Sequence, residues 1–193
     1  MIHNKYFEIL KQFLGDYTGE IYGRELVDKI SLSQKGIALA LEELEAKSIL
    51  KSRKEGSLKH YGLNLEYSEI RDIIAVTEIT RKTQFLAQHR KLAYLFKHDE
   101  RIIGIFGSYA KGIQKADSDI DIFIIGKKIA GDHDKEGKKL DLNISMKYFS
   151  RSSWIKLLKE KNNLLKEIVT YHVILFGVEE FINLSWRHYY GFN

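Results

Sequence analysis

Residues 106–125 read FGSYAKGIQKADSDIDIFII, and they set Asp119 and Asp121 into a run of isoleucine and phenylalanine that otherwise has the character of a buried strand. An unpaired carboxylate is costly in such a place, so a compensating charge belongs with the pair. On a strand, residues two apart point to one face about 6.6 Å from each other. Asp119 and Asp121 therefore project together, while Ile120 and Ile122 project into the core on the other side. Two carboxylates that close repel unless a cation stands between them. Mg²⁺ is the economical choice, because it takes hard oxygen ligands and combines one or two carboxylates with substrate phosphates. A third carboxylate is offered by Asp141, which lies between Leu140 and Leu142 in KKLDLNIS (138–145), a strand-like run that an adjacent position would bring to the same face.

Upstream, Gly107 and Ser108 follow directly on the strand-like RIIGIF (101–106). Glycine lets a phosphate approach the backbone, and a serine hydroxyl with the amides of a following short helix can hold it. Lys111 and Lys115 supply opposing charge. A phosphate cradle closely followed by a carboxylate pair points to a nucleoside triphosphate with Mg²⁺.

These residues resemble the DNA polymerase β-like nucleotidyltransferase superfamily, whose hallmark is Gly-Ser, a spacer, Asp-x-Asp and a third Asp on a neighbouring strand. The likeness is closest to the minimal nucleotidyltransferases, with GSYAKG at 107–112 and SDID at 118–121, and it extends over about residues 98–180 to the late VILFGVEEF (173–181). Lys111 stands where that branch usually has arginine, which keeps the charge but loses bidentate phosphate contact. The resemblance implies two-metal nucleotidyl transfer. Asp119 and Asp121 would bind both Mg²⁺ ions, Asp141 would ligate the ion on the acceptor side and assist deprotonation, and the nucleotide moved would be AMP from ATP. It also implies that the acceptor can be a protein, such as a partner toxin.

The remainder of the chain suggests a second domain. Tyr6, Phe7, Leu10, Phe13 and Leu14 have helical spacing, RELVDKI (24–30) carries an apolar face, and Ser33 caps a helix starting at Gln34. Residues 50–55 and 58–65 form a hairpin about Gly56-Ser57. Helix, helix-turn-helix and two-stranded wing resemble a winged-helix DNA-binding domain over residues 1–66. Gln34 and Lys35 would face DNA, with Arg53, Lys54, Lys59 and His60 on the wing. Ala38, Leu39, Glu42 and Glu43 suit that role poorly, so docking of another protein stays open. Residues 67–97 read as one long helix or two broken ones with a broad apolar face, which favours a homodimer. Residues 98–193 alternate strands and helices. The expected architecture is a two-domain α+β chain: winged helix, linking helix, and an α/β nucleotidyltransferase fold with a small mixed sheet.

Composition agrees with a folded protein. Of 193 residues, 44% are hydrophobic and 30% charged, and there is no cysteine, which excludes disulfides, thiolate metal sites and a cysteine nucleophile. MIHNKYFEIL lacks signal-peptide character, and a cytoplasmic location is expected. The net charge of +5 is spread thinly: residues 1–66 carry ten Lys/Arg and ten Asp/Glu. His133, between Asp132 and Asp134, reads as part of a hydrophilic loop. The leading function is a nucleotidyltransferase with a winged helix for DNA or partner binding. The alternative is an antitoxin-like DNA-binding regulator whose second domain senses nucleotide.

Overall fold

The computed structural model describes residues 4–96, 99–115, 117–129 and 134–192. The loop histidine, His133, lies outside the described residues. The chain divides into two compact units, Met1–Thr80 and Arg81–Asn193.

The N-terminal unit begins with α1 (Asn4–Leu10), a 3-10 turn at Lys11–Phe13, β1 (Glu20–Tyr22), α2 (Gly23–Leu26) and α3 (Gln34–Ala46). The hairpin β2 (Leu50–Glu55) and β3 (Leu58–Leu63) follows. Ser33 caps α3 by accepting a hydrogen bond from the Gly36 amide at 3.1 Å. Ile37, Ala40, Leu41 and Leu44 form its buried stripe, at the 3–4 spacing that one helical face requires. The expected hairpin is present, turning at Gly56 with φ +60°. The sheet has a third strand as well: β1 pairs antiparallel with β3, giving the order β1-β3-β2. Phe7, Phe13, Leu14, Tyr17 and Leu26 complete the core of this unit.

The division between units falls within α4 (Ile70–Gln88), and α5 (Arg90–Leu95) follows after a break at His89, whose ψ of 55° departs from helical values. Of the two readings, the broken helix is the observed one. Thr77 and Thr80 return their hydroxyls to the carbonyls of Ile73 and Val76, which lets β-branched residues sit inside α4.

The C-terminal unit is built on β4 (Ile102–Phe106), β5 (Ile120–Ile125), β6 (Ile144–Phe149) and β7 (Val173–Phe176), in the order β6-β5-β4-β7. β5 runs antiparallel to β4 and parallel to β6, so the sheet is mixed, as expected. One face carries Ile103, Ile105, Ile120, Ile122 and Ile124 against Leu92, Leu95 and Phe96. The other is aromatic: Phe123 stacks on Trp154 of α8 (Arg151–Lys159), with ring centroids 5.4 Å apart, and meets Phe181 of α10 (Val178–His188) at 5.9 Å. α9 (Asn163–Thr170) contributes Leu165, Ile168 and Val169 to the same interior. Gly104 is required there, because a Cβ would lie 2.4 Å from the Phe123 ring.

Two expectations need correction. The strand expected from residue 138 lies instead at 144–149, and α7 (Asp134–Lys139) takes up residues 134–137 of the loop expected over 126–137 together with the first two residues of the strand-like run. Both KKLDLNIS and ISMKYF alternate well enough for a strand. Pairing with β5 decides between them, setting Ile120 beside Ile144 and Ile125 beside Phe149. Asp141 consequently stands in a turn with φ +54°, its amide bonded to the Lys138 carbonyl at 3.2 Å. Among the described residues no helix is long and apolar enough to cross a membrane.

Candidate active site

Antiparallel β4 and β5 with parallel β6 bring the end of β4 and the starts of β5 and β6 to one rim of the sheet. Phe106 pairs with Asp121, and Asp121 with Ser145. Residues directly opposite across a ladder share a face, so Asp121 stands on the aromatic side of the sheet at its rim. Ile120 and Ile122 enter the opposite core, each at most 3% exposed, as the alternation requires. β5 itself begins at Ile120, so Asp119 occupies the last position before the strand rather than a position within it. Asp119 is exposed and Asp121 half-buried.

Gly107 opens α6 (Gly107–Lys111) with φ +69°, a conformation that glycine adopts freely. A Cβ on it would lie 2.4 Å from Asp121 Oδ2. Backbone conformation and the Asp121 carboxylate thus each demand glycine here. Ser108 is the next residue of α6 and half-buried. α6 ends at Gly112, which has nearly the same φ of +70° but nothing within 4 Å of where a Cβ would stand.

The lysines fare differently. Lys111 Nζ is 2.6 Å from Glu167 Oε1 of α9 and lies over the Tyr171 ring, 4.9 Å from its centroid. Lys115 is exposed on a loop that Ser118 closes, its hydroxyl accepting from the Lys115 amide at 2.9 Å while the Ser118 amide bonds the Lys115 carbonyl at 3.1 Å. Asp141 is exposed and does not join Asp119 and Asp121 in a cluster: among the described residues no three Asp, Glu or His side chains gather as metal ligands.

Sequence reasoning missed the neighbours of the pair at the start of β6, Asn143 just before the strand and Ser145 within it. The Asn143 amide donates to Asp119 Oδ1, the Asn143 carbonyl accepts from the Ile120 amide at 2.8 Å, and Ser145 is the register partner of Asp121. Their signal was present in LDLNIS, but only the true register of β6 identifies which polar residues flank the aspartates. No lysine or arginine pairs with Asp119 or Asp121 among the described residues.

The residues read as nucleic-acid contacts lie in the N-terminal unit. Gln34, Lys35 and Lys54 are exposed. Arg53 grips Glu20 with both Nε and Nη2, at 2.9 and 2.6 Å, and reaches Glu55 through Nη1 at 2.6 Å. Those carboxylates hold the guanidinium above its ordinary pKa. Lys59 meets Glu45 at 2.6 Å, and His60 lies 4.0 Å from Glu20. Glu43, awkward beside a phosphate backbone, is engaged by Lys5 and by the Tyr6 hydroxyl at 2.6 Å.

No curated protein and no solved structure matches the chain. Residues 90–180, which include Gly107, Ser108, Asp119, Asp121 and Asp141, match the family model described as "Polymerase beta, Nucleotidyltransferase", and the match supports a nucleotidyltransferase activity for this part of the chain.

Proposed function

We propose that the C-terminal unit transfers a nucleoside monophosphate, AMP from ATP, to a hydroxyl acceptor in a Mg²⁺-dependent reaction. The observation that carries this reading is the contact of Gly107 with Asp121, which sets a side-chain-free backbone turn against a carboxylate at the rim of the sheet. The donor set fits a hard divalent cation: two carboxylates, unpaired with lysine or arginine among the described residues, with the oxygen-bearing Asn143 and Ser145 beside them. Asp119 and Asp121 would hold two Mg²⁺ ions, which when bound neutralise triphosphate charge and favour ionisation of the acceptor.

Gly107 and Ser108 receive the phosphates, with Lys115 and, once released from Glu167, Lys111 as counter-charges. The acceptor oxygen forms a bond to the α-phosphorus, the bond from that phosphorus to the β-bridging oxygen breaks, and pyrophosphate leaves with the electron pair. The acceptor proton passes to Asp141, the carboxylate of the segment that leads into β6. Most of the protein's share is positioning. The N-terminal unit, read as a winged helix, serves to bring the catalytic unit to DNA or to a protein acceptor, with Lys35 and Lys54 among its exposed cations.

Incubation with α-labelled ATP, Mg²⁺ and cell extract tests the reaction. Asp119→Asn and Asp121→Asn should each reduce label transfer at least about a hundredfold, roughly 2.7 kcal/mol of transition-state stabilisation. Asp141→Asn should lose transfer while binding ATP·Mg²⁺ nearly as well as the parent. Transfer that survives in Asp119→Asn overturns the assignment, and transfer unchanged in Asp141→Asn removes that residue from it.

A further inference from the structure

The exposed face of α3 carries Lys35, Ala38, Leu39 and Glu42. It lies opposite the buried stripe of that helix, and its spacing of three and four residues makes one continuous seam. Leu39 keeps 45% of its surface exposed at the middle of this seam. A lone exposed leucine needs no explanation. The charges on either side of it do. The side chains of Lys35 and Glu42 have no ion-pair or hydrogen-bond partner among the described residues, whereas Glu43 and Glu45 of the same helix are both engaged by lysines. Neither has an opposite charge three or four positions away, where a helix could supply one. Lys35 also stands in the first turn, the end of a helix that disfavours a cation. Electrostatics within α3 therefore do not account for this pair of charges.

Their order makes the helix complementary to a reversed copy of itself. The midpoint between Ala38 and Leu39 is also the midpoint between Lys35 and Glu42, each of which lies about 5 Å from it along the helix. A second α3 laid antiparallel about a two-fold axis at that point sets Lys35 of each copy level with Glu42 of the other. Ala38 and Leu39 of both copies fill the space between, and the short alanine side chain permits the interaxial approach of about 8–10 Å that packed helices adopt. Every contact of a two-fold pair occurs twice, so one match of lysine to glutamate gives two. DNA would meet the same face less well, because Leu39 has no hydrogen bond to give a base edge and Glu42 repels phosphate.

We propose that two copies of this chain associate through α3, antiparallel about a two-fold axis between Ala38 and Leu39, with Lys35 of each copy paired to Glu42 of the other. The occupant of the face is a second copy because the face is its own electrostatic complement. One helix face from each chain makes a small contact, so the pair is a weak, concentration-dependent dimer. It brings two C-terminal units into one particle, whatever those units catalyse. Insertion of α3 into a DNA groove uses the same surface and is excluded while the copies are paired.

Sedimentation velocity of the full chain at low salt, over a series of protein concentrations, tests the pairing. The samples are the parent, Lys35→Glu, Glu42→Lys, the double variant with both changes, and an equimolar mixture of the two single variants. All the changes are on the exposed face, and thermal melts verify that each variant is folded. The parent should dimerise as its concentration rises. Each single variant sets like charges together twice and should weaken association at least about tenfold. The double variant exchanges the two signs and should regain it. The mixture should form heterodimers, one chain then carrying only anions along the seam and the other only cations. A parent that stays monomeric throughout the series overturns the proposal. So does a dimer that persists in both single variants, which places the contact elsewhere on the chain, and so does failure of the double variant or the mixture to regain association. If the parent is monomeric and Lys35→Glu weakens duplex DNA binding in fluorescence anisotropy, the face belongs to DNA instead.

Discussion

In the N-terminal unit Arg53 meets Glu20 and Glu55, Lys59 meets Glu45, and Lys5 meets Glu43, whereas in the C-terminal unit Asp119 and Asp121 meet no lysine or arginine among the described residues. The first group of charges is balanced within the fold, so its cations must exchange one anion for another before they can hold a phosphate backbone. The second is left for something outside the chain to balance. A charge's use by a ligand depends less on its sign than on whether the fold has already answered it. Lys111, paired with Glu167, shows that the C-terminal unit follows both practices.

The strongest way to break this contrast is through Gly107. Gly107→Ala brings a methyl group against Asp121 Oδ2 and forces a left-handed backbone on alanine, so nucleotidyl transfer should fall at least about a hundredfold. Gly112→Ala is the matched control, with nearly the same φ but open space around its Cβ. It should cost stability alone, about 1 kcal/mol for the left-handed conformation, with transfer per folded molecule kept. Steady-state transfer rates beside denaturant midpoints separate the two. Equal losses in both variants would mean that backbone strain, and not the carboxylate, makes Gly107 necessary.

An intermediate effect is expected on the wing. Lys54→Ala should lower the slope of log affinity against log salt by about 1 for duplex DNA, the share of a single phosphate contact. Arg53→Ala should change that slope by less, because Glu20 and Glu55 already engage the guanidinium, and Glu20→Gln should raise affinity two- to threefold by releasing it. Fluorescence anisotropy across a salt series reads all three. An Arg53→Ala effect as large as that of Lys54→Ala would show that the ion pair opens on binding, and would erase the distinction between the units.

The smallest effect concerns pH. Hydrogen bonds from Arg53 hold the carboxyls of Glu20 and Glu55 below their ordinary value of 4.5, and Lys59 followed by Ser52 does the same for Glu45. A carboxyl whose pKa is lower in the folded state stabilises the fold fully above the unfolded value, and this contribution disappears as pH falls through the folded one. Melting temperature should therefore decline as pH drops below about 4.5, and the decline should flatten in a Glu20→Gln, Glu45→Gln, Glu55→Gln variant. These groups are at the surface, so the change should be small and should shrink further in high salt.

Local signals carried much of this structure. Ser33 announced the start of α3, Gly56-Ser57 the hairpin, and Asp119 with Asp121 the polar rim where β5 begins, because each depends on chemistry within a few residues. β1 was hidden, since three residues between glycines have no periodicity, and they become a strand only by pairing with β3. Asp141 was legible as a carboxylate but not as a turn residue. Its place is fixed by β6 pairing with β5, and two overlapping runs satisfied the alternation equally well. The Arg53–Glu20 and Lys111–Glu167 pairs join residues 33 and 56 positions apart, beyond any local pattern.

The parallel pairing of β5 with β6 has a consequence for how the rim comes together. The chain leaves β5 at Ile125 and must travel back along the sheet before β6 begins at Ile144. Asp119 and Asp121 precede this return and Asp141 follows it, so their covalent connection runs by way of the far end of the sheet. A break in the return would leave each piece with part of the rim and with one strand of the β5–β6 ladder. Assembly of the site would then change from a unimolecular event to a bimolecular one, governed by mass action between the fragments.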